Sequence, residues 1–245
     1  MDKFMTDMAG VFSNPKYLPE FWNGIVETVY STVIATVVAF LLGLVLAVLL
    51  VVGDKDGVRP LPSPVMRLLN AVINVLRSVP FLILMLFVLP LSKIVVGTTI
   101  GTPASIPPLV IAAAPFIARL VETSLREMDR GIIEAAQSMG CSPFQIVWKV
   151  ILPECLPSLI SSFTTAFITI LGYGAMAGAI GGGGLGKIAI NYGYNKYNMA
   201  VMLVATVLIV ILVQIAQSIG THLALRLDRR NRNGGKRSKK RAKAE

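Results

Sequence analysis

The sequence predicts an all-α integral membrane protein with five transmembrane helices. Three observations carry that expectation. Of the 245 residues, 54% are hydrophobic and only 15% charged, with a mean hydropathy of +0.70; a soluble domain has no use for that much apolar surface. Five apolar runs alternate with polar segments. Lys and Arg are shared unevenly among those segments. The formal net charge of +10 would suggest nucleic acid in a soluble chain. Here its placement speaks for membrane orientation, and no nucleic-acid partner is expected.

Residues 1–24 read as an extracytoplasmic lead-in with Pro15, Pro19 and Trp22. They lack a basic head, a short apolar core and a small-residue cleavage site, so no cleaved signal peptide is expected. Phe12, Phe21 and Trp22 suit a membrane interface. The membrane domain is placed at 25–225. Its first span covers about 25–52, with no charge between Glu27 and Asp54. Residues 53–77 read as a polar break carrying Lys55, Arg59, Arg67 and Arg77. The second span is placed at 78–96, kinked by Pro80 and Pro90, with Lys93 snorkelling outward. Residues 97–108, rich in Gly, Thr and Pro, read as a loop. The third span follows at 109–125, with Arg119 and Glu122 one helical turn apart near its inner end. A polar hairpin occupies about 129–157. The fourth span is placed at 158–180, a Gly- and Tyr-rich outer loop at 181–197, and the fifth span at 199–225. Residues 226–245 form a basic cytoplasmic tail, expected to be disordered and either to lean on anionic membrane lipid or simply to hold the chain's orientation.

With the hairpin inside, eighteen of the 23 Lys and Arg fall in inner segments, ten of them in the tail. Lys3, Lys16, Lys93, Lys187 and Lys196 are left outside. Five spans then put the N-terminus outside and the C-terminus in the cytoplasm. Cys141 and Cys155 lie in the hairpin, on a reducing side, and are expected to be free thiols. A single histidine, His222, cannot build a metal or triad site, and no metal is expected.

The hairpin, Glu134 to Pro157, is the most informative stretch. Its first helix carries Glu134, Ala135 and Ala136 and ends near Gly140, a suitable left-handed terminator. Ser142 restarts the chain, Pro143 is a good first helical residue, and Gln145 completes a capping box with Ser142. Phe144, Val147, Trp148 and Ile151 recur at helical spacing and predict one apolar face. Pro153 is expected to end the second helix. Such a knob suits a groove on another protein; a solvated hairpin without a partner is the plain alternative. A DNA-binding helix-turn-helix is disfavoured, because Arg130 and Lys149 are its only basic residues.

This stretch resembles the EAA loop of ABC importer permeases. Glu134, Ala135, Ala136, Gly140, Leu152 and Pro153 fit that pattern, with Val150 where Ile is usual. The resemblance implies that these residues, with Phe144 and Trp148, couple the chain to ATPase subunits.

The fourth span carries Ser161, Ser162, Thr164, Thr165 and Thr169, and one side made small by Gly172, Gly174, Ala175, Ala177, Gly178 and Ala179. Thr169, Tyr173, Met176 and Ile180 share a helical face. Ordinary packing and a solute path both account for it. The run Gly181 to Gly184 is not a phosphate loop, since no Lys-Ser or Lys-Thr follows in register. A flexible turn and a close backbone approach, as at a dimer axis, both remain open for it.

From about Gly24 to Leu225 the chain is similar to methionine ABC importer permeases. The similarity rests on Tyr173-Gly-Ala-Met176-Ala-Gly178, Gly181-Gly-Gly-Gly-Leu185-Gly186, Asn191-Tyr192-Gly193-Tyr194, and on Pro115, Phe116, Arg119 and Glu122. It implies a type I importer fold, a homodimer, two ABC ATPase subunits docked on the EAA loops, and an extracytoplasmic methionine-binding protein. It further implies substrate contacts at Tyr173 and Met176, with Thr169 on the same face, and ATP with magnesium on the partner ATPase, leaving this chain without a cofactor. No residue set supports catalysis here, so the chain is expected to be a transport subunit and not an enzyme. Other cargoes, such as another amino acid or a phosphonate, keep the same architecture. A non-transporting scaffold and a membrane enzyme are weaker alternatives.

Overall fold

The computed structural model describes Met8, Val11, Pro15 and residues 17–228. The basic tail beyond Asp228 and most of the expected lead-in therefore lie outside the described residues. Among the described residues every regular element is helical. We number the α-helices α1 (Tyr17–Val52), α2 (Ser63–Ser78), α3 (Phe81–Val96), α4 (Thr102–Arg126), α5 (Arg130–Ser138), α6 (Pro143–Ile146), α7 (Leu152–Glu154), α8 (Leu156–Ala177), α9 (Gly184–Ile188) and α10 (Met199–Leu227). Two π-helical segments, Val147–Ile151 and Ala189–Tyr194, and a 3₁₀ turn, Gly178–Ile180, join some of them. Four helical runs are long and apolar enough to cross a membrane. The bent pair α2 and α3 makes a fifth when counted as one span.

α4 is the axis of the packing, with most of its residues buried. α1 meets it along a stripe of small residues at four-residue spacing, Ala35, Ala39, Gly43 and Ala47, all buried. Small residues let helices approach closely where apolar surroundings supply no hydrophobic drive. At Gly43 the approach is tight: a Cβ there would lie 2.6 Å from Ile117 Cγ2. α8 packs on α4 through a hydroxyl pair, Ser124 and Ser162, 2.8 Å apart. α10 packs on α8 where Gly220 leaves no room for a side chain against Thr164.

Several expected boundaries move. The polar break at 53–77 is in part a helix, α2, and the expected second span from Ser78 is a broken one. α2 and α3 meet at 107° across Val79 and Pro80. Pro80 disfavours helical geometry at the residue before it, and Val79 is extended (φ −77°, ψ 127°). Pro90, expected to kink the span, sits inside α3. The expected loop at 97–108 already contains the first turns of α4. There Pro103 occupies an early helical position whose missing N–H costs nothing. The first span begins eight residues earlier than expected, at Tyr17.

The Gly- and Tyr-rich segment expected to be an outer loop is also helical, formed by α9 and the π segment after it. It packs on α1 and α10 with Leu185 and Ile188 buried beside Phe21, Val201 and Ala205. Its glycines serve close approach within this chain. A Cβ on Gly183 would strike Thr102 Oγ1 and the carboxylate of Glu27, and one on Gly186 would strike Ala175. Glu27 Oε2 accepts from the Gly184 N–H at 2.7 Å and from the Thr102 hydroxyl at 2.9 Å, while Thr28 Oγ1 accepts from Leu185 N–H at 2.9 Å. α1 thus holds the start of α9 and the start of α4 together.

Candidate functional site

The hairpin is built by local rules that its sequence obeys. Asp129 caps α5, its Oδ1 accepting from Gly131 N–H at 2.8 Å. α5 ends with Gly140 in the left-handed region (φ +78°). There Gly140 N–H donates to Gln137 O at 2.9 Å and Cys141 N–H to Ala136 O at 3.1 Å. These two bonds are the Schellman pattern, which consumes carbonyls that a helix end leaves unpaired. The capping box follows: Gln145 N–H donates to Ser142 Oγ at 3.3 Å and Ser142 N–H to Gln145 Oε1 at 2.9 Å. Both ends of the turn are thereby fixed.

The predicted single apolar face of the second arm is corrected. Ile146, Val147 and Ile151 are buried against Leu125, Met128, Cys155 and Leu159. Phe144 and Trp148 point away, 71% and 58% exposed, with ring centroids 6.1 Å apart. Val147 and Trp148, about 100° apart as consecutive helical residues, face different ways, and the arm then widens into a π turn in which Leu152 N–H reaches back five residues to Val147 O. Pro153 has no N–H, and its ring excludes the carbonyl four residues back; widening the preceding turn accommodates it. Pro153 therefore does not end the arm as expected. It lies in the short helix α7, and the break comes at Cys155.

Glu134 and Ala135 are exposed and Ala136 is buried. Glu134 lines a cavity of about 260 Å³ between α5, the C-terminal end of α4 and the 54–58 loop, shared with Asp54, Arg126, Arg130 and Gln137. Leu152 is half-buried, and Pro153 borders a larger cavity of about 730 Å³ between the hairpin and the ends of α4, α8 and α10. The predicted hairpin residues are thus brought to one end of the bundle. Both cysteines are free thiols.

A charged network, only part of which the sequence revealed, braces this end. Arg119 Nη1 donates to Glu122 Oε2 at 2.7 Å, and Arg126 Nε to Glu122 Oε1 at 2.9 Å. Arg126 Nη2 reaches Asp54 at 2.8 Å, and Arg119 Nη2 reaches Asn70 and Asn74 on α2 at 2.7 and 3.0 Å. Glu122 is 8% exposed and so has both its oxygens paired, as a buried carboxylate needs. The Arg126 hydrogen bond holds the Asp54 carboxyl below its ordinary range. The signal missed in the sequence is the polar spacing Arg67, Asn70, Asn74, Arg77, one stripe of a helix.

The predicted path residues lie elsewhere, toward the other end of α8. Tyr173 stacks on Phe81, with centroids 4.2 Å apart and planes 5° from parallel. It borders a cavity of about 130 Å³ with Arg77, Val79, Phe81 and Phe116. Met176, one turn on, is 49% exposed. Thr169 gives its hydroxyl to Thr165 O at 2.8 Å. Ser161, Thr164 and Thr165 do the same within α8, so these hydroxyls serve their own helix first.

Residues 39–229 match the model of the family described as binding-protein-dependent transport system inner membrane component. The chain belongs to this family. Among its relatives, the methionine import system permease protein MetP of Bacillus subtilis strain 168 is 50% identical over 220 residues, 88% of this chain and 99% of that protein. The "Probable D-methionine transport system permease protein MetI" of Vibrio cholerae is 53% identical over 167 residues, 68% of this chain and 74% of that one. A solved structure described as an inward-facing conformation of the MetNI methionine ABC transporter superposes with a TM-score of 0.86. It has 42% identity and covers 88% of this chain and all of that one. As an inner membrane component of a binding-protein-dependent transport system, the chain is a transport subunit and not an enzyme.

Proposed function

We propose that this transport component is the permease subunit of an ATP-driven ABC importer for methionine. It works as a homodimer, with two ABC ATPase subunits docked on the hairpins and an extracytoplasmic methionine-binding protein delivering cargo. The observation that carries the coupling role is the hairpin itself. Its turn is fixed by a Schellman pair and a capping box, its inner face is buried, and Phe144 and Trp148 are left exposed together. A pair of exposed aromatics on a rigid base is the composition of an interface anchor. A rigid element transmits displacement, whereas a flexible loop absorbs it.

The cargo is supported by the names of the relatives and by Met176, whose polarizable thioether suits a thioether substrate. The orientation, N-terminus outside and C-terminus inside, is supported by the bias of Lys and Arg. ATP and magnesium belong to the ATPase in this reading. The test is reconstitution of the chain with its ATPase and binding protein in proteoliposomes, followed by uptake of labelled amino acids. ATP-dependent accumulation of methionine is expected. Preference for another solute would change the cargo; failure of the ATPase to associate at all would remove the coupling role.

A further inference from the structure

We propose that Arg77 is a carboxylate-binding subsite partway through the membrane, where it receives the α-carboxylate of the passing amino acid. The identity of the cargo in this proposal rests on the importer reading above. The first observation is depth. Asn70 and Asn74 bind Arg119, and Arg77, one turn further along α2, borders a cavity with Ala112 and Phe116. At a rise of 1.5 Å per residue, Ala112 and Phe116 lie about 15–20 Å from Arg126 at the inner end of α4. That is further than an Arg side chain can snorkel.

The second observation is pairing. Arg119 and Arg126 are held by Glu122 and Asp54. Arg77 is exposed and, among the described residues, has no ion pair or hydrogen bond. A guanidinium at this depth is costly against lipid, so intramembrane cations favour a watered space and mark solute pathways.

The third observation is the broken helix. α3 starts at Phe81, across the 107° bend, and has no side-chain cap. The N-terminus of such a half-helix carries partial positive charge and favours an anion. Phe81 itself stacks on Tyr173 at 4.2 Å. Guanidinium, helix N-terminus and aromatic wall therefore converge on one cavity of about 130 Å³. That space suits a carboxylate and its α-carbon. The remainder of the solute would extend along α8 toward Met176. Arg77 also lies in the last turn of α2, where a cation complements the helix dipole; that role needs no solute, and the experiment separates the two.

The experiment measures ATP hydrolysed per methionine imported by the reconstituted complex carrying wild-type chain, Arg77→Lys or Arg77→Gln. Co-purification of the ATPase serves as the assembly control. Loss of a charged hydrogen bond to the solute predicts that Arg77→Gln raises that ratio by about tenfold or more. Arg77→Lys, which keeps a point charge, stays close to wild type. An unchanged ratio in Arg77→Gln overturns the subsite, whether or not both rates fall together. So does failure of both variants to assemble, which would make Arg77 structural. If wild type carries another solute, the same ratio is measured for that solute; the methionine reading then fails while the subsite stands or falls on its own. A carried solute lacking an anionic group overturns it.

Discussion

The ring of Tyr173 lies flat against that of Phe81, planes 5° apart and centroids separated by 4.2 Å. Tyr173 sits on α8 and Phe81 opens α3, so this one stack joins the fourth span to the half-helix beyond the Val79–Pro80 break. Stacked aromatic pairs contribute about 0.5–1.5 kcal/mol beyond their buried area. That is enough to bias the position of a half-helix but too little to hold the bundle. Tyr173→Ala is therefore expected to leave co-purification of the ATPase intact and to lower methionine uptake severalfold. Met176→Ala, on the same open face, is expected to act in the same direction. Normal uptake in both variants would make this face packing only.

The exposed pair on the hairpin predicts a separation of folding from docking. Phe144→Ala and Trp148→Ala remove side chains that are 71% and 58% exposed, so thermal stability of the purified chain is expected to change little. Loss of an aromatic anchor from an interface costs about 2 kcal/mol or more, so ATPase co-purification is expected to fall by at least an order of magnitude. Gly140→Val attacks the same function from the turn. At φ +78° a branched side chain strains the left-handed backbone by about 1–2 kcal/mol, and weakened docking or hydrolysis without uptake is expected. Full assembly and uptake in all three variants would end the docking role.

Gly183 tests the strap between α1, α4 and α9. A Cβ there meets Thr102 Oγ1 and Glu27 Oε2, inside the site that holds the Gly184 N–H. Overpacking of this kind costs about 1–3 kcal/mol. Gly183→Ala is expected to lower the melting temperature of the purified complex. Gly172→Ala, inside α8 where a Cβ meets nothing within 4 Å, is the control expected not to lower it, since alanine is the better helix former. A melting temperature of Gly183→Ala equal to that of wild type would show that the strap is not under constraint.

Orientation is checked by thiol labelling. Cysteines placed at Gly101 and Asn195 are expected to react with an impermeant reagent from outside intact cells, and Cys141 is expected to be protected. Labelling of Cys141 from outside would invert the topology.

What was legible in the sequence follows the range of the forces involved. The capping box of Ser142 with Gln145 and the turn at Gly140 are local chemistry, and they were read correctly from a few neighbouring residues. The spans were legible because burial in lipid demands long apolar runs. α2 is hidden because Arg67, Asn70, Asn74 and Arg77 make its stretch read as a polar break, although their spacing is helical. The exposed and buried sides of the hairpin's second arm are not legible in the sequence, because helical spacing groups Phe144 and Trp148 with Val147 and Ile151 without showing which of them meets the bundle. The contact of Gly184 with Glu27 spans 157 residues of sequence; no local pattern predicts which distant carboxylate a glycine run meets.

The π turn at Val147–Ile151 also sets a rule about chain length. Removing one residue from that turn would let an ordinary helix close. Five steps of about 100° would then replace six narrower ones, so the side chains before the turn would keep their bearing on those after it. Closing the turn with every residue kept is the damaging change: Ile146 would rotate by about 100° out of its pocket beside the base of α8, and the aromatic pair would swing off its present bearing. A single-residue deletion at this turn therefore leaves the lever aimed as before, whereas a change at constant length that straightens the turn re-aims it.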